Sequence, residues 1–129
     1  GGWYDADTFQ AAHALNALGV GPGDTIACIG TRACLYDHYW ARLAGVRILT
    51  EIYVPTLPLY PQLEAMPNRE QAIETVRRQG RKVLVGYFSP GVRSGASPTP
   101  PGWIELGDSP LYALPLNLTP AAPVEAKTP

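Results

Sequence analysis

The chain has 129 residues, 46% of them hydrophobic and 16% charged, with a net charge of −1 and a pI of about 6.1. These values fit one globular domain with enough core to fold without disulfide staples, and they exclude a chain disordered throughout. The near-neutral balance excludes the basic footprint of a nucleic-acid binder. No apolar run approaches the roughly 20 residues that span a bilayer, so this chain is not expected to insert directly.

No secretory leader is visible, and the sole methionine is Met66. The expectation is a piece of a longer protein, with Gly1 and Gly2 carrying no structural weight. All prolines but Pro22 fall after residue 54, so loop should dominate the second half.

The spacing predicts a helix over 7–18. Asp7 is placed to cap it, with Gln10 in the capping-box position, and Ala11, Leu15 and Leu18 form one apolar stripe. Gly19 should end it in the left-handed conformation, with Val20 packing back on the last turn. Gly21-Pro22-Gly23-Asp24 is a turn signal. It launches Thr25 to Ile29, a short unbroken apolar run of the kind covered on both faces of a sheet, and this is expected to be the central strand.

A second helix is expected over 36–44, with Tyr36, Tyr39, Trp40 and Leu43 on one buried face and Gly45-Val46 repeating the first helix ending. Residues 47–54 read as a strand rich in β-branched and aromatic side chains, parallel to the first. Four prolines over 55–67 exclude helix and central strand there. Asn68 should cap a helix over 69–79, followed by a strand over 82–88. The segment 89–101 reads as a mobile loop. Residues 103–106 and 111–116 are two short strands joined by a turn, hence antiparallel. The expected whole is a small three-layer Rossmann-like α/β domain over 3–118. It holds three parallel strands, a C-terminal antiparallel hairpin and about three helices, with a disordered tail over 119–129.

Candidate chemistry is sparse. In open α/β sheets ligands bind beyond the carboxyl ends of the strands, which points to Gly30, Thr31, Arg32, Glu51 and Ser89. Arg32 supplies a cation there, so phosphate or carboxylate is the ligand class. Neither a GxGxxG nor a GxxxxGK[ST] string is present. Cys34 and His38 have the i, i+4 spacing of metal ligands, but two ligands do not make a site, and no metal or cofactor is expected. Cys28 and Cys34 are expected to be unpaired, Cys28 as a small core hydrophobe. Tyr36, Tyr39, Trp40, Tyr53 and Tyr87 could line a pocket, but helical spacing favours core packing. His13 reads as a surface or partly buried side chain. The run Arg77, Arg78, Arg81 and Lys82 reads as cations at a helix C-terminus. No catalytic residue can be named.

The segment Ala14-Leu15-Asn16-Ala17-Leu18-Gly19-Val20-Gly21-Pro22-Gly23-Asp24-Thr25-Ile26-Ala27-Cys28-Ile29-Gly30 resembles the LGxxPGDxVAxIG opening of a family of soluble C-terminal domains. These follow many membrane-spanning helices in bacterial proteins of unknown function, some of them glycosyltransferase-like. Tyr39 to Ile48 resembles a YWARLxxVRI string of the same family, and Glu51-Ile52 and Gly102 to Asp108 continue the likeness. The chain departs from the pattern over 31–35 and 55–67. The resemblance implies a non-catalytic accessory domain, packed on its parent membrane protein or on a protein partner and attached through the parent to the cytoplasmic membrane. It brings no catalytic residues with it. The alternative is a small-ligand or enzymatic domain using the strand ends.

Overall fold

The computed structural model describes residues 6–30, 34, 39–52, 68–88 and 90–118. Helix α1 (Ala6–Ala17) leads to strand β1 (Thr25–Ile29), helix α2 (Tyr39–Ala44), strand β2 (Arg47–Ile52), helix α3 (Arg69–Arg78) and strand β3 (Val83–Tyr87). A one-turn helix α4 (Pro90–Arg93) and strands β4 (Ile104–Glu105) and β5 (Leu111–Pro115) complete the described elements. The expected segments 53–67 and 119–129 lie outside the described residues, as does the start of the second expected helix.

The strands form one mixed sheet in the order β2-β1-β3-β5-β4. As expected, β1 lies between β2 and β3 and is parallel to both. Strands β4 and β5 pair antiparallel as the hairpin, and β5 also pairs antiparallel along β3. That second pairing extends the sheet to five strands and makes β3 its middle strand. The two faces bury separate clusters. Ile26, Cys28, Val83 and Val85 meet Ala11 and Leu15 of α1 and Trp40 and Ala41 of α2. Ala27, Ile29 and Leu84 meet Val76 of α3 and Val92 of α4, together with Trp103 and Tyr112. Alternation along β1 and β3 sends successive side chains to opposite clusters, as the pleat requires.

The helix endings follow the glycines. Gly19 and Gly45 have φ of +91° and +81°. Val20 N–H donates to Leu15 C=O and Gly19 N–H to Asn16 C=O; Val46 N–H to Ala41 C=O and Gly45 N–H to Arg42 C=O repeat the pattern. This paired arrangement satisfies the last helical carbonyls, and only glycine takes the left-handed position without cost. Asn16 Nδ2 then donates to both Val20 O (2.9 Å) and Ala44 O (3.1 Å), tying the ends of α1 and α2 together.

Four expectations are corrected. Helix α1 begins at Ala6, so Asp7 lies inside it rather than at its cap, and Gln10 Oε1 accepts the Asp108 N–H at 3.0 Å, holding the β4–β5 turn. Asn68 flanks α3 without a side-chain cap bond. The segment after 89 is not wholly loop. Proline suits the first helical position, α4 forms there, and Val92 is buried in the second cluster.

The fourth correction concerns the cysteines. Cys28 and Cys34 form a disulfide, with Cα atoms 5.6 Å apart. The expectation of free thiols put Cys34 beyond the turn at Gly30. Instead Cys34 N–H donates to Gly30 C=O at 3.1 Å. That brings residue 34 within the ordinary span of a disulfide.

Candidate functional site

The strand-end site is placed only in part. Thr31, Arg32 and Ser89 lie outside the described residues. Gly30 and Glu51 stand together at the carboxyl ends of β1 and β2, where Cys28 pairs with Glu51 and Ile29 with Ile52. The Gly30 N–H is committed: it donates to Ile52 C=O at 2.9 Å and extends the strand pairing by one bond. It is therefore not the free backbone donor that an anion would need. Cys34 is in the disulfide, which removes it as a metal ligand or nucleophile, and His38 lies outside the described residues. Among the described residues no three His, Cys, Asp or Glu side chains stand together to hold a metal ion.

The cationic run is absorbed by the fold. Arg77 and Arg78 both pair with Glu74, at 2.8 and 3.3 Å. Arg81 donates to Thr50 Oγ1 and to Gln79 C=O, and Lys82 pairs with Asp24 at 3.2 Å. Of the aromatic set, Trp40 and Tyr87 are core and Tyr39 is exposed, while Tyr36 and Tyr53 lie outside the described residues. His13 is exposed, one of the two outcomes its position allowed.

The sequence misplaced the inner face of α2. Trp40, Ala41 and Ala44 are buried, whereas Tyr39 and Leu43, one turn apart, are each 44% exposed. The helix has six residues, and its buried side meets α1, where Ala11 and Ala12 are also buried. Small side chains let the two helices approach, and the larger Leu43 is turned outward. The Arg42 guanidinium carbon lies 6.0 Å from the Tyr39 ring centre, a cation–π distance.

A second exposed leucine lies on β2. The register of β1 against β2 shifts between Ile26↔Ile48 and Ala27↔Thr50. Leu49 is therefore the extra residue of a bulge and has no partner on β1. It stands 48% exposed on β2, at one edge of the sheet. Phe9 of α1 is 61% exposed. Four large apolar side chains thus project from α1, α2 and β2. Helices α1 and α2 pack together on one face of the sheet, and β2 lies at the edge beside α2.

On the other face, a groove of about 520 Å³ runs between α3 and the 100–103 turn, lined by Arg69, Ile73, Arg77, Pro100, Trp103 and Leu114 among others. Beneath it Phe88 stacks on Tyr112, with ring centres 4.6 Å apart, and meets Trp103 at 4.9 Å. Burial pushes the Tyr112 phenol above its ordinary range, and Glu105, which accepts its O–H at 3.4 Å, adds to the effect. A neutral phenol donating inside an aromatic stack is structural chemistry. No sequence signal marked this groove, because Trp103 and Leu114 are brought to α3 only by the pairing of β5 with β3.

No family model, curated protein or solved structure matches the chain. Among the described residues no helix is long and apolar enough to cross a membrane.

Proposed function

We propose that this α/β unit is a non-catalytic accessory domain of a larger, membrane-attached bacterial protein. It packs on its parent or on a protein partner through the surface shared by α1, α2 and β2. The observation that carries this reading is that four of the five large apolar side chains exposed among the described residues, Phe9, Tyr39, Leu43 and Leu49, lie on three associated elements, the fifth being Ile104 on β4 at the opposite edge of the sheet. Single exposed apolar residues are ordinary, but a concentration of them on neighbouring elements marks an interaction surface. The edge position of β2 supports the same reading, since its outer side pairs with no described strand and an open edge favours association. The finer fold assignment, a three-layer Rossmann-like unit, rests on the β2-β1-β3 order with helices buried against both faces.

A direct test replaces Leu43 and Leu49 together by glutamate. In the 129-residue chain the thermal midpoint should stay within a few degrees, because both positions face solvent. In the natural full-length product the domain should become more sensitive to limited proteolysis. Unchanged proteolysis in the full-length product would refute the packing surface.

A second reading is favoured by the strand order alone. The chain leaves β1 for α2 on one face and β3 for α4 on the other, so the carboxyl ends of β1 and β3 flank a topological switch point. A phosphate- or carboxylate-bearing ligand would bind there, near Gly30. Titration with inorganic phosphate and nucleotides should then shift amides at Gly30 and Glu51. Shifts confined to the Gly21 and Gly80 edge would rule that placement out.

A further inference from the structure

We propose that the groove between α3 and the 100–103 turn is a binding site for a small amphipathic carboxylate, with its hydrocarbon part on the apolar wall and its head group against α3. The site is separate from the α1/α2/β2 surface and does not rest on the reading given for it. Its volume of about 520 Å³ falls within the ~300–1,000 Å³ of small-molecule sites. Its two sides differ in chemistry. Pro100, Pro101, Trp103 and Leu114 make one wall apolar, and Ile73 continues that surface onto α3. Arg69 and Arg77 stand at i−4 and i+4 from Ile73, so all three share one face of the helix. The sign of the head group follows from the ion pairs. Glu70 is 90% exposed and lies 4.0 Å from Arg69, whose side chain is 34% exposed, so the arginine is the member set into the protein. Glu74 is shared between Arg77 at 2.8 Å and Arg78 at 3.3 Å, which leaves that trio one positive charge in excess. A carboxylate matches the guanidinium fork with two parallel hydrogen bonds.

Both walls are fixed to the sheet, so the groove does not collapse on itself. Helix α3 is anchored by buried Val76, and Asn117 Nδ2, just past β5, donates to Arg77 C=O at 2.9 Å and to Arg81 C=O at 2.8 Å. On the other side Trp103 is buried against Phe88, and its N–H donates to Pro100 C=O at 3.3 Å, closing the turn. A Cβ on Gly102 would stand 3.0 Å from Leu114 Cδ1, so the turn lies directly on β5. Pro100 and Pro101 fix φ in that wall. Ile73 and Leu114 are left half-buried, and a hydrocarbon chain laid on them gains apolar burial with little ordering of the protein.

The test titrates the isotope-labelled 129-residue chain with sodium octanoate, and with octanol as a neutral probe of the same chain length, while amide shifts are followed. Octanoate should give saturable shifts at Ile73, Trp103 and Leu114. In Arg69→Gln/Arg77→Gln the affinity for octanoate relative to octanol should fall by about fivefold, the size expected for partly exposed charge pairs. A second variant, Ile73→Trp, fills the groove, keeps both arginines and should weaken both probes together. No saturable shifts at the groove, an unchanged ratio in the arginine variant, or undiminished binding of both probes in Ile73→Trp would each overturn the site. Shifts centred on Gly30 and Glu51, or on Leu43 and Leu49, would likewise overturn it and place the anion elsewhere.

Discussion

Gly86 of β3 sits opposite Ile29 of β1, so closely that a Cβ on Gly86 would fall 2.7 Å from Ile29 Cγ2 and 3.2 Å from Ile29 O. The two strands pair in parallel at this point, where the sheet is buried on both faces. The approach fixes where the carboxyl ends of β1 and β3 lie, and it leaves no room for a methyl group.

Gly86→Ala should therefore destabilise the fold by about 1–3 kcal/mol, the usual cost of overpacking a filled core. Chemical denaturation reads it directly. A cost below about 0.5 kcal/mol would mean that the strands separate without penalty.

Trp40 and Leu43 should behave oppositely despite lying on one short helix. Trp40 is 1% exposed, so Trp40→Ala should cost roughly 3–5 kcal/mol. Among the described residues its Nε1 has no hydrogen-bond partner, so Trp40→Phe forfeits none of the described bonds and should cost clearly less than the alanine change. Leu43→Ala should stay within about 0.5 kcal/mol. Equal costs at the two positions would contradict the observed face of α2.

The Asp24 carboxyl is held below its ordinary range, first by the Gly21 N–H at 2.8 Å and then by the Lys82 ammonium, against the opposing pull of burial. A carboxyl depressed in the folded state adds stability above its unfolded pKa and loses it as pH falls through the folded value. Asp24→Asn should thus be less stable than the natural chain near pH ~7, by about 1 kcal/mol or less because the pair is partly exposed. The gap should close below pH ~4. Denaturation midpoints measured across this range would refute the assignment if the gap were constant with pH.

Much of the sheet could be read from the sequence because its signals are local. Thr25 to Ile29 is a continuous apolar run, and the Gly19-Val20 and Gly45-Val46 endings place two helix termini within a residue or two. What could not be read depends on distant partners. Nothing near Leu111 announces that β5 pairs with β3. Apolar spacing on α2 suggested Tyr39 and Leu43 as core, but the approach of α1 selects Trp40 and the two alanines. The disulfide depends on how close Cys34 comes to Cys28, with Cys34 N–H on Gly30 C=O, which spacing alone does not reveal. The strand-end site was argued from strand order, and the structure shows that order. It also shows Gly30 N–H bonded to Ile52, a competition that no sequence pattern encodes.

The central claim is that the α1/α2/β2 surface is covered in the natural protein. The most direct measurement places a photo-reactive amino acid at position 43 or 49 in the full-length product, with position 78 on exposed α3 as control, and maps the adducts by mass spectrometry. The account predicts adducts from 43 and 49 at fixed sites on the parent chain or one partner, and none above background from 78. Yields from 43 and 49 no higher than from 78 would contradict it.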